Sequence, residues 1–395
     1  MTAKGRTHLR NPASRVFEMG SNSILQPMSV LAGGIIGAGA FSLPYVVSQS
    51  GLIVGFVLLA LATVAYSVIH LMYADVLTGT TAQHRFVGYV ERYLGKGWRY
   101  LAIAMAVIEM VFILTIYLVL SVSFFHMVFP GFSVLAAILL FWLFGALTTF
   151  SSLKQLELSE TVVTVGILAI IGALFAVSVP SIETLSAVPI FTSHNVLLPL
   201  SAIFFALSGR VAIPSLVNAL RSRGHVERGP IRRAVIIGTV IPAVVYAIFI
   251  ISVLALSGTV SPDAVTGLLG TIPAWLAAAI GVLGLLTLWS SYILVGRDVS
   301  DTLHYDLDVP RWLRLFVVLV VPLVLYGLGF DDFIGLVSLI GGVFLSLEGM
   351  FVVLLWRSAR KQRRLGGLIT VSRFTLLFLW VVFTAALIGV LTSLS

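Results

Sequence analysis

Residues 33–44 read GGIIGAGAFSLP, placing four glycines and a proline in the middle of an apolar run that extends from about 24 to 48. Relative to alanine, glycine costs a helix about 1 kcal/mol and proline about 3 kcal/mol, so a regular helix through this run is disfavoured. A second stretch repeats the device: Ser208, Gly209, Arg210, Val211, Ala212, Ile213, Pro214. Gly39 with Pro44 and Gly209 with Pro214 share a Gly-x4-Pro spacing, 170 residues apart. A simpler role for Gly33 and Gly37, spaced G-x3-G, is to let two straight helices pack closely. Packing glycines, however, do not call for matching prolines.

The rest of the chain supplies the setting. Of its 395 residues 59% are hydrophobic and 10% charged, against roughly 25% charged in an ordinary soluble domain, and the mean hydropathy is +1.09. A soluble globule is excluded. Apolar runs long enough to cross about 30 Å of hydrocarbon recur near 24–48, 52–76, 100–128, 133–151, 159–179, 197–219, 234–257, 273–296, 313–329, 334–356 and 371–392. They are too long and too continuously apolar for barrel strands, so eleven transmembrane helices are expected. With no cysteine, neither disulfides nor thiolate metal sites exist, and cysteine chemistry says nothing about compartment. The first apolar run is long and follows a basic tail with no convincing small-residue cleavage pattern, so it is read as a retained span, not a signal peptide.

All but one of the 24 lysines and arginines fall on one side of this layout: in the tail 1–23 (Lys4, Arg6, Arg10, Arg15) and in alternate connections. Those connections carry Arg85, Arg92, Lys96 and Arg99; Lys154; Arg221, Arg223, Arg228, Arg232 and Arg233; Arg297, Arg311 and Arg314; and the cluster from Arg357 to Arg373. The opposite side has acids instead, Glu183, Asp263, Asp331 and Asp332. Positive charge is retained inside, which predicts a multi-pass protein of the cytoplasmic membrane with its N terminus cytoplasmic and its C terminus outside. The net charge of +8 is thus a topology signal and does not point to nucleic acid. Gln83 to Leu94 suits a short interfacial helix on the cytoplasmic surface or a plain polar connector.

A displacement of 170 residues spans five helices, an odd number, so residues 24–179 and 197–356 are expected to form two five-helix units of opposite orientation, with 371–392 as an added eleventh helix. In an inverted repeat, paired broken helices meet near the midplane, where half-helix N-termini attract an anion and freed carbonyls hold a cation. A zwitterion such as an amino acid satisfies both.

At this point the residues resemble a known family. GAGAFSLPY, from Gly37 to Tyr45, is similar to the unwound first helix of amino acid permeases of the amino acid/polyamine/organocation superfamily. GRVAIPSL at 209–216 resembles the sixth-helix motif of the aromatic and hydroxy amino acid permease branch of the amino acid/auxin permease group, and the eleven-span count agrees. FVGYVERYLGKGW, from Phe86 to Trp98, resembles the family's second cytoplasmic connection, and Ser290 and Ser291 fall where its eighth helix often carries a Thr-Ser pair. The resemblance implies the leucine-transporter fold and transport of an amino acid by alternating access. One departure stands out: relatives commonly show Gly-His in the sixth helix, where this chain has Gly209 and Arg210.

The expected substrate groups are the amides of Gly37, Ala38 and Gly39 for a carboxylate and the carbonyls of Phe205, Ala206, Leu207 and Ser208 for an ammonium, with Arg210 beside them. Three roles are open to Arg210: selecting acidic substrates, repelling cationic ones, or balancing a glutamate. Glu109, Arg210 and Glu348 each stand roughly 14–17 Å from the cytoplasmic boundary at 1.5 Å per residue, all near the midplane. One cation cannot neutralise two carboxylates, so Glu109 or Glu348 is a candidate proton carrier. The alternative is a fixed ion pair with one glutamate. Gly34, Gly37, Ser42, Ser290 and Ser291 are candidate Na⁺ ligands, since hard cations prefer oxygen, although a serine in an apolar helix more often bonds the carbonyl one turn back. No lysine lies between Leu158 and Val179 to stand in for sodium, so H⁺ and Na⁺ coupling both remain open.

Among single residues, Phe204 and Phe205 are candidate gates and Tyr117 a possible contributor, with ordinary packing the simpler role for each. Asp75 is expected to pair with a basic residue, Asp298 and Asp301 to form a solvated cluster with Arg297, and His70 and His126 to lie near span ends without metal-site spacing. No bound cofactor is expected beyond a coupling H⁺ or Na⁺, and the expected partners are the small-molecule amino acid and the lipid bilayer. HExxH pairs, facing Ser-His arrangements and nucleotide-binding glycine loops are missing, which argues against an enzyme. An uncoupled sensor, exchanger or channel on the same fold is the competing expectation.

Overall fold

The computed structural model describes residues 24–80, 85–149, 154–192, 196–222 and 227–393; the tail 1–23 and Gln83, His84 and Arg223 lie outside them. Every regular element described is helical, as it must be where no water can pair a lone amide. The first span is α1 (Leu25–Ile35) and α2 (Leu43–Ser50), joined through a 3-10 turn at Ala38–Ser42, with a bend of 42°. There follow α3 (Leu52–Gly79), a short helix α4 (Phe86–Leu94), α5 (Lys96–Val128), α6 (Val134–Thr149) and α7 (Lys154–Ser178). The sixth span is again divided, into α8 (Leu198–Leu207) and α9 (Ile213–Ser222), and leads to α10 (Arg228–Leu256) and α11 (Ala274–Leu307). Helical stretches at 311–327 (α12, Arg311–Leu315; α13, Val321–Gly327) and 333–361 (α14, Phe333–Leu339; α15, Ser346–Lys361) each contain a π-helical turn, and α16 (Arg373–Ser393) closes the chain.

Among the described residues, eight helical runs are long and apolar enough to cross a bilayer and the bent first span makes nine; with the shorter stretches Val134–Thr149 and 311–327, the order agrees with the eleven expected spans. Helix lengths recur: α3 and α5 have 28 and 33 residues, and α10 and α11, which follow the second break, have 29 and 34.

Both breaks have the same local cause. Ile36 (ψ 101°) and Ser208 (ψ 120°) leave the helical region, and each chain restarts through a short 3-10 turn. Pro44 and Pro214 are then the second residues of α2 and α9, where a missing amide donor costs nothing. The prolines therefore begin new half-helices and do not kink old ones. The π turn at Ile340–Leu345 sets Gly341 directly against the carbonyl of Ser201 on α8, where any Cβ would collide, and so fits the tenth span to the sixth. On α11, Gly281 and Gly284 leave room for Phe124 and Met127 of α5, so the third and eighth spans pack closely.

Two expectations are corrected here. The helix α4 forms, but Phe86, Val87, Tyr89, Val90 and Tyr93 are buried against protein, with Tyr73 of α3 edge-on to Phe86 and Tyr89 at 6.1 and 6.2 Å. Its apolar stripe faces the bundle, not lipid. Asp75 is fully buried and pairs with no base among the described residues: its carboxylate accepts from Trp356 Nε1 (3.0 Å) and the Leu368 amide (2.8 Å), pinning the loop before α16 onto α3.

Candidate functional site

The two breaks touch through their glycines. A Cβ on Gly39 would lie 2.6 Å from Ala206 Cα, and one on Gly209 would lie 2.5 Å from Ile35 Cγ1, so each interruption uses its glycine to approach the other. A Cβ on Gly34 would likewise lie 3.0 Å from the Cβ of Ala212. The first bond of each 3-10 turn runs from Ala40 to Gly37 (3.1 Å) and from Ala212 to Gly209 (3.0 Å). The amides of Ala38 and Gly39, and of Arg210 and Val211, lie ahead of those bonds like the first donors of any helix. Carbonyls at the ends of α1 and α8 are released in the same way. Two of them, Ile35 and Ala206, converge on one hydroxyl: Tyr246 Oη on α10 is 2.7 Å from the first and 2.9 Å from the second.

Beside the first break lies a cavity of about 530 Å³, open space at its mouth included. Ile36, Gly37, Ala40 and Phe41 form one wall and residues of α7, α10 and α11 the others; Thr287 brings the one side-chain hydroxyl. Such a lining accepts an apolar group and rejects a charge. Residues 205–208 are outside this lining. Phe205 is half-buried, whereas Phe204 is fully buried against Tyr66 (5.3 Å) and Phe383 (5.0 Å) and packs as core.

The structure brings the three charges of the apolar layer together. Arg210 Nε stands 2.5 Å from Glu348 Oε2, off the line a hydrogen bond needs, with the side chains 12% and 11% exposed. Its guanidinium also lies over the Phe86 ring at 4.3 Å, a cation–π contact that links the sixth-span break to α4. Glu109 is buried within the electrostatic reach of both Arg210 and Glu348 yet forms no ion pair among the described residues. One carboxylate is paired and the other is surplus, as the charge count requires.

The candidate sodium ligands are engaged with their own helices: Ser42 Oγ donates to Gly39 O at 2.8 Å and Ser290 Oγ to Thr287 O at 3.0 Å. Ser291 on α11 stands beside Tyr117 on α5. Asp298 and Asp301 receive Arg85 at 3.0 and 2.8 Å, a partly exposed clasp between the start of α4 and the end of α11.

His70 is not near a span end but deep within α3. Its Nδ1 lies 2.9 Å from Thr239 Oγ1, whose own proton goes to Val235 O at 2.9 Å. Thr239 is therefore the acceptor, which fixes the proton on Nδ1 and leaves Nε2 as a buried acceptor without a partner among the described residues. Tyr246, His70 and the role of Phe86 escaped sequence reading. The only available signal was the rule that a buried Tyr hydroxyl or imidazole must find a partner, and that rule does not name the partner.

No curated protein sequence matches the chain. Among solved structures, MhsT in complex with L-phenylalanine is similar at 18% identity and a TM-score of 0.64, with 94% of this chain and 97% of that chain covered. A manganese transporter of Eremococcus coleocola follows at 14% and 0.63 (98% and 89% covered), and Mhp1, a nucleobase-cation-symport-1 family transporter, at 14% and 0.60 (93% and 90% covered). These likenesses establish the fold: all-helical and leucine-transporter-like, with the order of helical runs consistent with the eleven expected spans. The model of the tryptophan/tyrosine permease family matches residues 20–391, and the chain belongs to that family.

Proposed function

We propose that the protein is a secondary active transporter of aromatic amino acids, tryptophan or tyrosine, working by alternating access and coupled to an ion gradient. The observation that carries this reading is the meeting of two broken helices, Gly39 on Ala206 and Gly209 on Ile35, next to an apolar cavity. The carboxylate sits on the amides of Gly37, Ala38 and Gly39, and the ammonium on the carbonyls from Phe205 to Ser208. The ring enters the apolar space along Ile36, Phe41 and Phe249. Family membership and the phenylalanine-bound relative support an aromatic side chain.

Coupling is assigned to the Glu109, Arg210 and Glu348 cluster, with H⁺ as the ion. Arg210 is held by Glu348 and Phe86, so its part is to hold that cluster and not to select an acidic substrate. Na⁺ bound near Gly34, Ser290 and Ser291 is the competing assignment: Ser290 Oγ gives its proton to Thr287 O, and its lone pairs stay open to a cation. The arginine-rich side is placed in the cytoplasm, in the plasma or inner membrane.

The test is uptake of labelled tryptophan into proteoliposomes under an imposed pH gradient, then under an imposed Na⁺ gradient. Accumulation above equilibrium driven by pH, and lost in both Glu109→Gln and Glu348→Gln, is expected. Equilibration without accumulation under either gradient overturns coupled transport, and accumulation driven by Na⁺ alone moves the coupling to the serine site.

A further inference from the structure

The shared contact of Tyr246 with both breaks is not explained by packing. Carbonyls that lose their helical partners inside an apolar layer need a positive hydrogen, a water or a cation. Here Ile35 O belongs to the first interruption and Ala206 O to the second, and both lie within 2.9 Å of a single, fully buried hydroxyl. A hydroxyl carries one proton, so it is shared between the two carbonyls or alternates between them. Ala206 is also the residue against which Gly39 presses, so one side chain on a third helix fixes both the dipoles and the contact between them.

We propose that Tyr246 is a positioning residue that holds the two interrupted helices in register, supplying from the protein the positive end that the converging carbonyls demand. Two consequences follow. Removing the proton while keeping the ring loosens both breaks at once, although they are 170 residues apart in the chain. Replacing one proton by two satisfies both carbonyls together.

The experiment is hydrogen–deuterium exchange on the purified full-length protein, read in peptides covering 36–40 and 207–212, for wild type, Tyr246→Phe, and a variant carrying 4-aminophenylalanine at position 246. In Tyr246→Phe, exchange about fivefold faster or more is expected in both segments, with α5 and α11 unchanged. In the amino variant, protection equal to or greater than wild type is expected in both. Faster exchange in one segment only, or in neither, overturns the proposal, and so does loss of protection in the amino variant. Should Tyr246→Phe not fold, the amino variant alone decides. A second readout rests on the transport reading above: the dissociation constant for tryptophan rises about tenfold in Tyr246→Phe and recovers in the amino variant. Because exchange needs no substrate, failure of the affinity arm alone rejects the substrate assignment and leaves the clip standing.

Discussion

Removing either partner of the Arg210–Glu348 pair strands a charge in the apolar layer. The side chains are 12% and 11% exposed and the charged atoms 2.5 Å apart, so water screens them little. Loss of one member of a buried pair costs about 3–5 kcal/mol, whereas replacing both with apolar groups is often close to neutral. Glu109 makes the two losses unequal. Glu348→Gln leaves Arg210 with a second carboxylate within reach, and about 2–3 kcal/mol is expected; Arg210→Met leaves two carboxylates and no cation, and about 3–5 kcal/mol is expected. The double variant Arg210→Met with Glu348→Gln should recover at least about 2 kcal/mol of the Arg210→Met loss. Reversible unfolding in mixed micelles, followed by tryptophan fluorescence, measures all four proteins. Single losses that add to within about 0.5 kcal/mol in the double variant would show that the pair is not coupled, and the charge cluster would lose its physical basis.

Three further outcomes follow from the packing. Gly39→Ala puts a methyl 2.6 Å from the backbone of Ala206, which has nowhere to go; a loss of about 1–3 kcal/mol and of tryptophan uptake is expected, measured by unfolding and by flux. Gly209→Ala meets instead the side chain of Ile35, so the added variant Ile35→Val should restore much of its uptake, and no recovery would mean that the backbone is the obstacle. Asp75→Ala leaves the Trp356 and Leu368 N–H groups buried without an acceptor, at about 1–3 kcal/mol each, whereas Asp75→Asn keeps one acceptor and should cost about half as much in the same unfolding assay. Arg85→Ala, by contrast, removes a pair with Asp298 and Asp301 that is 31–44% exposed and should change stability by no more than about 1 kcal/mol.

What the sequence disclosed and what it hid have a common physical reason. Helix rise is fixed, so residue number gives depth and puts Glu109, Arg210 and Glu348 at one level. Rotation about a helix axis and the choice of neighbour are set by tertiary packing, so which glutamate takes Arg210 was not legible. The breaks were legible because glycine and proline act locally. Asp75 misled because its partners, Trp356 and the Leu368 amide, come from far along the chain and neither is a cation. The stripe of α4 was visible in its spacing, but a stripe is the same whether lipid or protein covers it. Tyr246 offers only the general rule that a buried hydroxyl needs a partner: an aromatic residue in an apolar helix reads as packing, and only its position between two freed carbonyls gives it a different role.

In the proposed binding scheme, peptide dipoles from the two breaks grip both ends of a zwitterion. Competition for labelled tryptophan on purified protein, by tryptamine, which lacks the carboxylate, and by indole-3-propionate, which lacks the ammonium, tests it directly. Each should compete at least about a hundredfold more weakly than tryptophan, since each leaves one set of dipoles unanswered and a tenfold change corresponds to about 1.4 kcal/mol. If either competes as well as tryptophan, the breaks do not read both charges and the binding scheme is wrong.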